Sequence, residues 1–330
     1  MTGTIWAMIK KIDISHKTIF FVAGFLALIW SLYLIRDVII LLFLAIIFMS
    51  ALSPVVEFLE RFKIPKALGI ALTYIVIFSL IVTLLYAVIN PLTEQTTNLL
   101  SNFPQTVEKI FPEGGLVDRS IVNREIGNIT GNAVGVTLTI FNSFLGFISV
   151  AVLTFYLLLE RSKLDNLVSQ FFVGQEIKVK RISRQIEEKL GSWLRGQLAL
   201  SFIIGILVYI VLTVLQIPYA LPLSILAGIF EVVPVIGPII SSIPAIIVAY
   251  TVSPILGLIT GISFFVIQQL ENHIIVPQVM KKAVGLNPLT VILAVAIGGK
   301  LLGVPGALLA VPVAVVIQII TEGVLREEDK

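Results

Sequence analysis

Apolar runs of about 20 residues recur along this chain, the length that crosses a hydrocarbon core about 30 Å thick. They lie at 18–35, 38–56, 68–89, 134–159, 197–216 and 257–276, and each predicts a membrane-spanning helix. No segment alternates apolar and polar residues over a strand's length, so an outer-membrane barrel is not expected. The first run lacks a small-residue cleavage site and passes through Arg36-Asp37 directly into the second. It reads as a span and not as a cleaved signal. Two further apolar stretches, 220–250 and 286–320, are longer than one crossing and shorter than two, and each is interrupted midway by proline and glycine.

The distribution of basic residues orients these elements. Lys10, Lys11 and Lys17 precede the first span, and Arg61, Lys63 and Lys66 follow the second. The connector 160–195 carries Arg161, Lys163, Lys178, Lys180, Arg181, Arg184, Lys189 and Arg195. The connector 90–133 holds only Lys109, Arg119 and Arg124 against five acids. Since cytoplasmic loops collect Lys and Arg, the N-terminus and 160–195 are expected in the cytoplasm and 90–133 outside. Lys281-Lys282 then reach the cytoplasm only if 220–250 enters and leaves on one side. By the same logic 286–320 dips in from the cytoplasmic face, and both chain ends are cytoplasmic.

The expectation is an all-α polytopic membrane protein with about six full transmembrane helices and two Pro/Gly-broken re-entrant helical hairpins. Its parts are helices at 1–89, an extracytoplasmic helical segment at 90–133 and a fourth helix at 134–159. A basic amphipathic connector at 160–196 leads to a transport region at 197–320 and a tail at 321–330. Composition agrees: of 330 residues 57% are hydrophobic and 13% charged, against about 25% charged in soluble domains. In the connector, Ile182, Ile186, Leu190 and Trp193 share a helical face. That face is expected either at the lipid headgroups or on a solvated linker. A shift of 68 residues lays 235–250 over 303–318, with Pro244 on Pro312. Paired interrupted segments of this kind flank the substrate site in transporters built from repeats.

Candidate chemistry is sparse. The chain has no cysteine and two histidines, which leaves no thiol chemistry and makes a transition-metal site improbable. There is no P-loop, H-E-x-x-H or G-x-S-x-G; no cofactor and no nucleic-acid partner are expected, and the chain does not read as an enzyme. Glu231 lies inside "IFEVVPVIGPIISSIP", where a carboxylate at mid-bilayer costs at least about 2.5 kcal/mol. It is expected to bind a coupling ion or substrate, or else to cap amides freed beside Pro234. Gly237 and Pro238 then make the turn, with Ser241 and Ser242 nearby. In "IQQLENHIIVP", Gln268, Glu271 and Asn272 share a helical side, beside Gln269 and His273. They are either ligands for a polar solute or cation, or interhelical hydrogen-bond glue. Asn287-Pro288 suits a helix start. Lys300 is expected to pair with Glu231 or Glu271, or to snorkel.

Four blocks carry a resemblance: "SPVVEFLERFKIPKALGI", "EVVPVIGPIISSIPA", "QQLENHIIVPQVMKKAVGLNPL" and "GVPGALLAVPVA". In this order and spacing the chain resembles the autoinducer-2 exporter family of bacterial permeases, from about residue 20 to 320. The resemblance implies a multi-pass inner-membrane protein that exports a small polar molecule such as autoinducer-2. Some relatives are instead associated with sodium/proton antiport. It implies a homopentamer in the lipid bilayer, two hairpins at the substrate site and an elevator-like movement. The positions it singles out are Glu231, Pro234, Gly237, Pro238, Gln268, Gln269, Glu271, Asn272, Pro277, Asn287, Pro288, Gly303, Gly306 and Pro312. A cation/proton antiporter working through Glu231, and a membrane scaffold or intramembrane hydrolase that transports nothing, stand as the alternatives.

Overall fold

A computed structural model describes residues 16–83, 86, 133–170, 172, 174–234, 236–280 and 285–325. The expected extracytoplasmic segment, Lys281-Lys282 and the last five residues lie outside these. The described residues are helical, in an order that follows the apolar runs: α1 (His16–Leu34), α2 (Arg36–Arg61), α3 (Lys66–Thr83), α4 (Ala133–Gln170), α5 (Glu176–Val214), α6 (Ala220–Phe230), α7 (Ile236–Val252), α8 (Pro254–Leu270), a π-helical turn (Glu271–Ile275), α9 (Val276–Met280) and α10 (Pro288–Leu325). Five helical stretches among the described residues are long and apolar enough to cross a membrane: α2, α3, α5, α8 through α9, and α10. The protein is an all-α polytopic membrane protein.

Residues 1–44 form one compact unit and 45–330 another. In the second unit, Met49 and Val56 of α2, Ile70 of α3 and Leu158 of α4 bury one core cluster. A larger cluster is built on the α5 ridge Leu200, Ile204, Val208 and Leu212. Their i, i+4 spacing puts them on one face. Leu223 and Ala227 of α6, Ala245, Val248 and Ala249 of α7, and Phe264 and Ile267 of α8 close over that ridge.

Two helices outrun their apolar segments. The run at 134–159 continues as α4 to Gln170, and that at 197–216 begins as α5 at Glu176. No proline or glycine occurs from 147 to 173, so nothing stops α4 before the bend where Gly174 takes φ 85°. The connector 160–196 is therefore two helix ends joined by a short bend. Its apolar face is partly buried in the protein, with Ile182 and Ile186 half-buried. Leu190 and Trp193 are buried, and a Cβ on Gly323 of α10 would meet the Ile182 side chain. A helix already rigid from 176 to 214 carries that face into the protein.

Where α5 crosses α2, Pro54 has no N–H to give the Ser50 carbonyl four residues back. Arg195 Nη1 donates to that carbonyl at 3.3 Å and to Ala51 O at 3.2 Å. Gly191 lets the backbones approach, since a Cβ there would strike the Ser50 carbonyl.

Both interrupted stretches fold back on themselves. In the first, α6 and α7 pack together across the turn after Phe230. At about 1.5 Å per residue α6 is roughly 16 Å long and α7 roughly 25 Å, both short of a 30 Å core. In the second, α10 reverses at Gly303, whose φ of 65° and ψ of −141° are not helical. Gly298 and Gly306 lie backbone to backbone across this reversal, so that a Cβ on either would strike the other's carbonyl. Only glycine permits that approach. The second arm, 304–325, is longer than the first, 288–302. Pro244 and Pro312, aligned in the sequence, each lie inside the second arm of their hairpin.

Candidate functional site

The first hairpin owes its tip to a helix that runs out. The Glu231 N–H still donates to Ala227 O at 3.0 Å, and Val233 N–H to Phe230 O at 3.0 Å. Pro234 follows, without an N–H to extend the helix. Gly237 is buried, and a Cβ there would collide with the Phe230 carbonyl. The main-chain carbonyl of Glu231 is taken up by another helix: Gln197 Nε2 of α5 donates to it at 2.7 Å. Glu231 and Gln197 are both buried, the glutamate at 0% exposure.

α8 ends beside this tip. Beyond Leu270 the backbone widens into the π-helical turn, with Glu271 as its first residue. Such single π turns recur at functional sites. Glu271 is 4% exposed, and Gln268 Nε2 donates to its Oε2 at 3.2 Å. The Glu231 and Glu271 carboxyl groups are close enough to interact electrostatically. Among the described residues no donor reaches either Glu231 oxygen, and Ser201 Oγ, one turn along α5 from Gln197, is likewise buried without a partner. Across from Ser201 lies Gly228, one turn before Glu231: a Cβ there would press on the Ser201 carbonyl.

Two carboxyls thus meet in an apolar interior, and among the described residues no basic side chain is paired with either. α6 adds to the negative potential, because its C-terminal end, where Glu231 stands, carries about half a negative charge. An ionised carboxylate so placed needs a counter-charge or a proton.

The structure gathers part of the sequence-predicted set. Glu231, Gln268 and Glu271 come together, with Pro234, Gly237 and Pro238 shaping the tip. Lys300 is exposed on α10 and pairs with neither acid; the arm carrying it packs through Gly298 and Gly299 on the second arm of its own hairpin. Gln269, Asn272 and Pro277 are exposed; the π turn breaks the i, i+4 register that was to align Asn272 with Gln268. His273 is exposed too, its Nδ1 3.1 Å from Gln269 O. Ser241 and Ser242 donate to carbonyls of their own helix, Pro238 O and Ile239 O. Asn287 caps α10, its Oδ1 accepting from Leu289 N–H at 2.9 Å. Asn287, Pro288, Gly303 and Gly306 serve the second hairpin and do not enter the carboxyl pair. Gln197 went unnoticed in the sequence, being one amide at the edge of an apolar run.

Charge collects at a second place. Arg161 of α4 donates through Nε to Glu187 Oε2 of α5 at 2.9 Å, and through Nη1 to Ser53 and Glu57 of α2. These residues line a cavity of about 330 Å³ with Glu60, Lys66, Arg184 and Glu188.

The chain matches, over residues 19–326, a family model described as AI-2E family transporter. It is 28% identical to the putative transport protein YrrI of Bacillus subtilis (strain 168), across 98% of this chain and 96% of that protein. It is 27% identical to the putative transport protein YueF of the same strain, across 83% and 80%. Its identity to the AI-2 transport protein TqsA of Escherichia coli (strain K12) is 25%, across 87% and 86%.

Proposed function

Because the chain belongs to the AI-2E family of transporters, we propose that it is a secondary transporter whose coupling cation sits at the Glu231–Glu271 pair. One observation carries this reading: both Glu231 oxygens are buried with no hydrogen-bond donor, facing a second buried carboxyl. Two adjacent carboxylates repel one another unless a proton or cation lies between them. A site that must be filled, and that a proton or a metal ion can fill in turn, is the minimum a cation-coupled carrier needs.

The moving part in this proposal is the α6–α7 hairpin with α8. Each of its arms is shorter than a crossing, and irregular backbone at membrane depth persists only against protein or a watery cavity. Gln197 of α5 donates a side-chain hydrogen bond to the tip, which an elevator-like displacement along α5 would break and remake. The cargo is a small polar solute that travels with or against the cation, across a bacterial inner membrane with both chain ends cytoplasmic. The bias of basic residues supports that orientation, and the family resemblance supports a homopentamer.

Purified protein in liposomes with an imposed pH gradient tests the reading. Wild type is expected to exchange protons for sodium or for a supplied polar solute, and Glu231→Gln to abolish that exchange. Undiminished exchange by Glu231→Gln overturns it. The name of the Escherichia coli relative favours a second reading, in which an autoinducer-2-like signal leaves down its own gradient. In that case the signal's efflux is unchanged in Glu231→Gln.

A further inference from the structure

We infer that the base-lined cavity at the N-terminal end of α5 is a headgroup site for anionic phospholipid. The cavity measures about 460 Å³ and is lined by Ile177, Lys180, Arg181, Arg184, Gln185 and Glu188. Three of these six residues are basic, and Glu188 is the one carboxylate in the lining.

Depth is the first argument. The Arg161–Glu187 pair and the Ser50–Gly191 crossing fix α5 against the end of the α2 apolar run. Glu187 therefore stands level with Glu57, where that run gives out. Lys180 lies two turns farther on, about 10 Å at 1.5 Å per residue. The polar zone on each side of the hydrocarbon core is about 5–8 Å thick, and long Lys and Arg side chains reach across the difference.

Amphipathicity is the second argument. Ile177, which lines the cavity beside these bases, is 79% exposed. A free anion has no use for an exposed apolar flank, whereas a lipid presents a phosphate and acyl chains together. The other face of the same helix is already occupied by protein, through Leu190 and Trp193. The basic residues lie away from that packed face.

The test is lipid retention by the full-length protein in native mass spectrometry. Phosphatidylglycerol and phosphatidylcholine with identical acyl chains are the probes. Wild type is expected to keep phosphatidylglycerol preferentially. The Lys180→Gln/Arg181→Gln double variant is expected to lose affinity about fivefold for each base removed. Glu188→Gln, which deletes the repelling carboxylate, is expected to retain more phosphatidylglycerol than wild type, so a folding defect in the double variant does not decide the matter. Equal retention of the two lipids overturns the proposal. So do wild-type retention by both variants, or displacement of the lipid by inorganic phosphate at the lipid's own concentration.

Discussion

Gln197 Nε2 donates to the main-chain carbonyl of Glu231 at 2.7 Å, joining α5 to the end of α6. The carbonyl stands at the end of α6, where helical carbonyls begin to lose their intrahelical partners. Gln197→Met keeps the volume and removes the donor. It is expected to destabilise the protein by about 1–3 kcal/mol, the range for a buried polar group left unpaired. A lower unfolding temperature in lipid nanodiscs is the readout, together with reduced transport at unchanged expression.

The hairpin turns make a separate prediction. Gly303 holds φ 65° and ψ −141°, a conformation nearly closed to other residues and costing about 1–3 kcal/mol when forced. A Cβ on Gly237 would collide with the Phe230 carbonyl. Gly303→Ala and Gly237→Ala are both expected to lower the unfolding temperature. Gly24→Ala, with open space around it, is expected to leave it unchanged.

Arg161 ties α2, α4 and α5 together through Glu57 and Glu187. Glu187 is only 13% exposed at its side chain, so losing its partner is felt. Arg161→Gln is expected to destabilise by roughly 1–2 kcal/mol, less at high ionic strength. Lys163→Gln removes a pair exposed on both sides and is expected to change stability by less than about 0.5 kcal/mol. Chemical denaturation at low and high salt compares the two.

Proton and cation compete for one pair of carboxyls in this account, and the sign of the pH dependence follows. Lowering the pH fills the pair with protons and weakens cation binding; raising it strengthens binding, by up to about tenfold per pH unit for a one-proton exchange, because the ligands must be deprotonated. Cation affinity measured across a pH series checks this, and affinity that rises as pH falls contradicts it.

Much of the architecture was legible in hydrophobic run lengths, because a bilayer imposes one dimension on every helix. The Pro/Gly interruptions marked both turns for the same reason: Pro234, Gly237 and Gly303 each deny the helix something it needs. The ends of α4 and α5 were less legible. Hydropathy reports where a helix leaves lipid, and it says nothing of where hydrogen bonding stops. Glu231 stood out because charge in an apolar run is costly, and Glu271 because polar residues crowd around it. Their meeting was hidden, since it depends on how the hairpin packs against α8. Lys300 was the natural partner by charge alone and lies elsewhere. Gln197 gave almost no signal: a single amide near a span's edge reads as surface.

The exchangeable proton itself gives the most direct test. Infrared difference spectra of the purified protein, recorded while the pH is raised from neutral, follow the carboxylic-acid stretch of protonated side chains. Wild type is predicted to show such a band at neutral pH, lost as the pH rises and displaced when a coupling cation binds. The Glu231→Gln/Glu271→Gln double variant is predicted to lack it. A neutral-pH band that survives unchanged in the double variant, or no band in wild type under any cation condition, contradicts the claim that these two buried carboxyls hold the coupling ion.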